Sequence, residues 1–215
     1  MLVAIYADEV QKNEIVSKGI NKEIEIIWMN NLQQNKNADI YFDLLFDETD
    51  ISKNNFIENT LVFVNAVITT ASELPSNYIR VNAWNSFLKR ELLEIAAANE
   101  KLKEQATLVL NKLEWKFIWM PDVPGMIAAR IISMIINEAY FALGEKVSTK
   151  EEIDIAMKLG TNYPYGPFEW SEKIGLQKIY LLLKKLNEKE RRYEIAPLLI
   201  EEVSGNLKSE IRNPK

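Results

Sequence analysis

The sequence predicts an α/β domain followed by an all-helical one, and three observations carry that reading. Before residue 120, short apolar runs alternate with polar connectors. The stretch MPDVPGMIAARIISMI, from Met120 to Ile135, then interrupts the chain: Pro121 and Pro124 lack backbone donors and fix their own φ, and Gly125 permits a change of direction. Beyond it the apolar period changes, with Ile127, Ile131, Met134, Ile135, Ala139 and Tyr140 recurring at three and four. The domains divide as 1–119 and 120–215.

Leu2 to Tyr6 and Ile24 to Met29 read as strands joined by a polar stretch containing Gly19. Ala38 to Phe46 is a third strand, followed by a polar segment, Asp47 to Glu58, with a helical turn begun near Asp50 or Ser52. Thr60 to Ala66, rich in β-branched residues, is a fourth, and Ile79 to Trp84 a fifth. Near-continuous apolar runs rather than clean alternation imply a mainly parallel sheet covered on both faces. Phe87 to Lys112 reads as helix, with Leu88, Leu92, Ile95 and Ala96 on one stripe, and Trp115 to Met120 as a final strand.

In the second half, the helix from Met126 to Leu143 is apolar nearly all round, so it is expected at the centre of a helical domain or against a second subunit. Ser148 or Thr149, each three residues before a glutamate, caps the next helix, which ends at Gly160. NYPYGP at 162–167 is a turn. Phe168 to Ile174 is a short helix stopped by Gly175, Leu176 to Asn187 is amphipathic, and Pro197 to Val203 is the last helix. The tail after Gly205 is polar and expected to be disordered.

With 215 residues the chain can bury one large core or two small ones. A net charge of −5 with scattered Lys and Arg argues against nucleic acid as a partner. Cysteine is absent, which excludes disulfides and thiolate chemistry. Histidine is absent too, removing the commonest general base and metal ligand together. The longest apolar tract carries Arg130, Asn137 and Glu138, and the N-terminus lacks a signal-peptide succession, so no membrane association and a cytoplasmic location are expected.

Few residues stand out as chemistry. Glu94 is a potential acid or base, or else a surface carboxylate on a helix beside Arg90. Asn82 and Asn85 read as loop hydrogen-bond formers or ligand contacts, and Trp84, Trp115 and Trp119 as core. Asp43, Asp47, Glu48 and Asp50 form an acidic patch without the spacing of a cation loop; a solvated strand end, not a metal site, is expected.

Five ordered motifs resemble one family. Pro124-Gly125 opening an apolar helix, Asn137-Glu138-Ala139, EEIDIAMKLG at 151–160, YPYGPFEW at 163–170 and APLLIEEV at 196–203 are similar to the helical C-terminal domain of 3-hydroxyacyl-CoA dehydrogenases. More weakly, the first half resembles that family's Rossmann domain in shortened form: Ala38-Asp39-Ile40, Phe46-Asp47-Glu48, Asn65 and the segment 80–95 fall at matching places. The resemblance implies a two-domain subunit, a homodimer through the helical domains, and a cleft in which active members oxidise a 3-hydroxyacyl-CoA with NAD in fatty-acid metabolism.

The same resemblance shows departures. Tyr6, Asp8 and Gln11 stand where a dinucleotide-binding loop has its three glycines, which let pyrophosphate approach backbone donors. Asn30 replaces the ribose-binding acid, Asn82 the catalytic histidine, Val67 a substrate-contacting serine and Ala129 an asparagine. Glu94 keeps the place of the histidine's carboxylate partner, and Asn85 that of the asparagine in a Phe-Asn-Pro segment whose proline is here Ser86. The expectation is a pseudoenzyme: a relative that uses no cofactor, leans away from turnover and serves as a binding, regulatory or assembly protein. Asn65, Asn82, Asn85 and Glu94 are its candidate ligand contacts, and a mixed dimer with a complete dehydrogenase is a possible assembly. The alternative is an active NAD-dependent oxidoreductase with an atypical site.

Overall fold

The computed structural model describes residues 1–31 and 37–212 of the protein. Its contacts divide into two units, Met1–Ile127 and Ala128–Lys215. The first is built on seven strands, β1 (Leu2–Tyr6), β2 (Glu25–Met29), β3 (Ile40–Asp43), β4 (Leu61–Asn65), β5 (Tyr78–Val81), β6 (Leu92–Ala96) and β7 (Lys116–Trp119). They lie in the order β2-β1-β3-β4-β5-β6-β7. All neighbours are parallel except β5 and β6, which run antiparallel.

Alternate residues of each strand feed opposite faces. Val3, Ile5, Phe42, Phe63 and Ile79 pack on one face under helices α1 (Glu9–Lys18) and α2 (Glu100–Lys112), which contribute Ile15, Leu102, Ala106 and Leu110. Phe42 and Phe63 stack there at 4.6 Å. The other face, with Ala4, Tyr41, Val62, Val64 and Tyr78, is closed by Ile51, Ile57 and Leu74 from turns and loops. The predicted sheet is therefore present and covered on both faces, with helices on one of them.

The continuous helix expected from Phe87 to Lys112 is corrected to a turn, a strand and a helix. Leu92 to Ala96 pairs between β5 and β7, and pairing with burial outweighs the helical spacing of its apolar residues. Asn99 then starts α2 by accepting from the Leu102 amide at 3.0 Å. The acidic patch is corrected as well. Asp43 is buried, Glu48 accepts from the Ile68 and Thr69 amides at 2.7 Å each, and Asp47 and Asp50 shape local turns.

The second unit contains α3 (Ala128–Gly144), α4 (Lys150–Thr161), α5 (Pro167–Ile174), α6 (Leu176–Asn187) and α7 (Pro197–Arg212). Positive φ at Gly125 and Met126 delays α3 to Ala128. Thr149 closes a capping box with Glu152. Gly160 stays inside α4, which is ended instead by Asn162 in the left-handed region. The expected tail after Gly205 is helix as far as Arg212. Across α3, Asn137 donates to the Glu194 carbonyl at 2.8 Å and accepts from the Ala196 amide at 2.9 Å, fixing the entry to α7. From α4, the buried Asp154 carboxylate accepts from the Phe168 and Glu169 amides at 2.8 and 3.1 Å, capping α5 from outside. A Cβ on Gly166 would fall 2.3 Å from that carboxylate.

Two stability predictions follow from this packing. Gly166→Ala should lower the unfolding free energy by about 2–4 kcal/mol through displacement of Asp154. Gly160→Ala, with nothing near its Cβ, should leave stability equal or raise it by up to about 1 kcal/mol. Denaturant unfolding of the two variants separates these outcomes.

Asp43 is 2% exposed, its Oδ1 has no partner among the described residues, and burial pushes its carboxyl up to about 7. The folded state thus keeps a proton that the unfolded chain releases near about pH 4, so this group's contribution is fully present below that value and is lost as pH rises through about 7. Asp43→Asn should unfold at higher denaturant than the parent above neutrality, and the difference should shrink toward pH 4.

Candidate functional site

The carboxyl ends of the parallel strands are where open α/β sheets gather ligands, and four of the sequence-selected residues lie there. Asn65 ends β4, Asn82 directly follows β5, Asn85 sits in the turn beyond it, and Glu94 is central in β6. Because β5 and β6 run antiparallel with Val81 opposite Ile95, Asn82 falls opposite Glu94; its backbone amide donates to the Glu94 carbonyl at 3.0 Å. Their side chains also meet: Asn82 Nδ2 donates to Glu94 Oε2 at 3.0 Å. Both residues are buried. Glu94 is therefore an interior strand residue paired with Asn82, which corrects its placement on an exposed helix beside Arg90.

The other two candidates do different things. Asn65 donates to the Leu44 carbonyl at 3.2 Å and accepts from the Ala83 amide at 3.0 Å, so it ties the strand ends together. Asn85 is half-buried and precedes Ser86, whose φ is 78°. Val67 is fully buried, its carbonyl receiving Arg80 and the Gly125 amide. Ala129 belongs to the helical unit and is buried there.

Four residues with no place in the sequence reading hold this site in shape. Glu14 accepts from the Ser86 and Leu88 amides at 2.6 and 3.1 Å, and Gln11 Nε2 donates to the Leu44 and Ala83 carbonyls at 2.9 and 3.1 Å. Arg80, fully buried, donates to the carbonyls of Ala66, Val67 and Val123 and to Asp122 at 2.5 Å. Burial pulls the Arg80 guanidinium down from its ordinary value, and Asp122 opposes the shift. Asp122 also accepts from the Ala71 amide at 2.9 Å. An arginine inside an apolar strand run was the available signal for this cluster; Gln11 and Glu14 gave none.

The N-terminus of α1 was the expected place of a blocked phosphate loop. Asp8 caps it, accepting from the Gln11 amide at 2.8 Å, while the Gln11 side chain accepts from the Asp8 amide at 3.2 Å. A donor that could face a pyrophosphate is already bound to a carboxylate, and that carboxylate repels a second anion. The residues present do not fit a pyrophosphate at this helix end.

Among the described residues no cluster of three potential metal-binding side chains occurs. No helix among them is long and apolar enough to cross a membrane.

Residues 125–209 match the model of the 3-hydroxyacyl-CoA dehydrogenase C-terminal domain. The 3-hydroxyadipyl-CoA dehydrogenase of Escherichia coli is 48% identical over 107 residues, covering 48% of this chain and 22% of that protein. The 3-hydroxybutyryl-CoA dehydrogenase of Bradyrhizobium diazoefficiens is 32% identical over 143 residues, covering 64% of this chain and 49% of that protein. The chain thus spans at most about half the length of these two relatives. A crystal structure of (S)-3-hydroxybutyryl-CoA dehydrogenase from Ralstonia eutropha superposes with a TM-score of 0.69 at 19% identity, covering 95% of this chain and 94% of that one, which shows a shared fold.

These comparisons overturn the expectation of a protein without a cofactor. The relatives are named as dehydrogenases, an activity that requires an electron acceptor. What Tyr6, Asp8 and Gln11 speak to is the pyrophosphate cradle alone; the rest of a dinucleotide has other contacts. The chain belongs to the 3-hydroxyacyl-CoA dehydrogenase family, and its residues 125–209 are that family's C-terminal domain.

Proposed function

We propose that the protein is an oxidoreductase of 3-hydroxyacyl-CoA dehydrogenase type, taking a 3-hydroxyacyl or 3-ketoacyl thioester of CoA with NAD as its redox partner, through an atypical site. The observation that carries the reading is the buried Asn82–Glu94 pair at the end of β5, at the positions where the resemblance puts the family's histidine and its carboxylate. The named activities of the relatives support it. NAD supplies hydride exchange when bound; its pyrophosphate would lie elsewhere than the Asp8-capped end of α1.

The chain's own groups define what is unusual about this chemistry. Glu94 holds the Asn82 amide by its Nδ2, leaving Oδ1 to accept a hydrogen bond from an alcohol. An amide oxygen cannot keep the proton, so oxidation relies on solvent to remove it. A second reading, a binding or assembly subunit without turnover, is favoured by that same amide.

The test is acetoacetyl-CoA-dependent oxidation of NADH, and the reverse reaction, with the purified protein. Oxidation by the parent should be slow and climb with pH, while Asn82→His should raise kcat about 10²- to 10⁴-fold and level off above roughly pH 6.5. No turnover by either protein, both folded, would remove the enzyme reading and leave the second.

The reading includes a homodimer formed through the helical unit. It is supported by Ile127 and Ile131, 45% and 50% exposed at the start of α3, with Ile155 and Leu159 on α4 at 53% and 83%. Sedimentation should give twice the chain mass, and Ile131→Glu should shift the protein to monomer; a monomeric parent would contradict the dimer, and a heavier species formed only with a complete dehydrogenase would favour the mixed assembly.

A further inference from the structure

Two buried polar atoms beside the Asn82–Glu94 pair lack a partner among the described residues: the acceptor Asn82 Oδ1 and the donor Trp84 Nε1. Asn82 is 2% exposed and Trp84 1%, so water outside the protein does not satisfy either atom. Leaving such a group unpaired costs about 1–3 kcal/mol, which makes a coincidence of two within three residues informative. They are also chemically opposite. Trp115, by contrast, has its indole N–H bound to the Gly19 carbonyl at 2.9 Å.

The chain is pinned on both sides of this couple. Asn82 is held by Glu94 through its side-chain Nδ2, which fixes which face of the amide is left over. Ala83 between them is held by Asn65 through its amide and by Gln11 through its carbonyl. Residues 82 and 83 leave β5 without a turn, and the bend begins at Trp84. Alternate residues of an extended segment stand about 6.6 Å apart, a span that two hydrogen bonds to one shared oxygen can bridge.

We propose that Asn82 Oδ1 and Trp84 Nε1 form an acceptor–donor couple that receives one hydroxyl-sized oxygen, and that in the ligand-bound protein this oxygen is the 3-oxygen of the acyl thioester. Only a hydroxyl satisfies both atoms, accepting from the indole and donating to the amide; a keto oxygen satisfies the indole alone. Trp84 is thereby a substrate-binding residue that favours the hydroxy form. The inference rests on the thioester reading above. Bulk water is the other source of such an oxygen.

The experiment follows the indole N–H resonances of the protein's five tryptophans, with Trp84 assigned from Trp84→Phe. 3-Hydroxybutyryl-CoA and butyryl-CoA, which lacks the oxygen, are titrated separately, and their binding is measured by calorimetry. The expected result is a Trp84 shift with the hydroxy thioester alone, and an affinity preference for it of about tenfold that Trp84→Phe abolishes. Both thioesters binding alike with the Trp84 signal unmoved overturns the inference, leaving a water site, while the thioester reading stands. Binding of neither overturns both. The resonance measurement uses the parent protein, so a variant that fails to fold does not spare the proposal.

Discussion

The buried guanidinium of Arg80 is the constraint from which the site region takes its shape. A cation with no exposure survives in an apolar sheet only if every donor finds an acceptor. Arg80 finds them in the carbonyls of Ala66, Val67 and Val123 and in Asp122. Those acceptors lie on the segment leaving β4 and on the stretch between β7 and α3, so one side chain on β5 fixes both. Glu48 adds a second restraint by taking the amides of Ile68 and Thr69. The neighbouring turn after β5 is held by α1 through Glu14 and Gln11. Asn82 and Trp84 are thus presented on a backbone whose polar groups are already bound, which is the preorganisation a ligand-contacting pair requires.

The family-like motifs of the helical unit have a physical reading as fasteners. Asp154 in one motif caps the helix that opens in another, at Phe168 and Glu169, and the close fit against Gly166 explains why that turn has glycine before its second proline. Asn137 in a third motif holds the chain entering α7 through Glu194 and Ala196. Each motif carries one half of a contact, so recognising them in order was equivalent to recognising the packing. This is why the helical unit was legible down to its α5 and α6 boundaries, while α4 and α7 each ran past the residue expected to end them.

The sheet was legible in its parallel strands because their apolar runs are continuous. It was misread where polar residues are inside and apolar spacing is ambiguous. The segment LLEIA has helical spacing with its neighbours, yet Glu94 is buried opposite Asn82, and only the pairing of β6 with β5 and β7 reveals that. Helix α1 buries Gln11 and Glu14 alongside Ile15, so it has no apolar stripe to find. Asp43 and Glu48 looked like a solvated patch because sequence alone does not distinguish a carboxylate facing water from one facing amides or a core. Asn82 and Glu94 were selected correctly as a related pair, but Trp84 was taken as core because its free indole N–H is a property of the surroundings rather than of the residue.

The central claim is that a nicotinamide dinucleotide binds this chain although Asp8 and Gln11 close the usual phosphate position. Titration of the purified protein with NADH, following nicotinamide emission sensitised by tryptophan, tests it without reference to turnover. The account predicts saturable binding in the micromolar to millimolar range, about 4–8 kcal/mol. A folded protein whose emission rises only in proportion to added NADH, with no saturation, would contradict it.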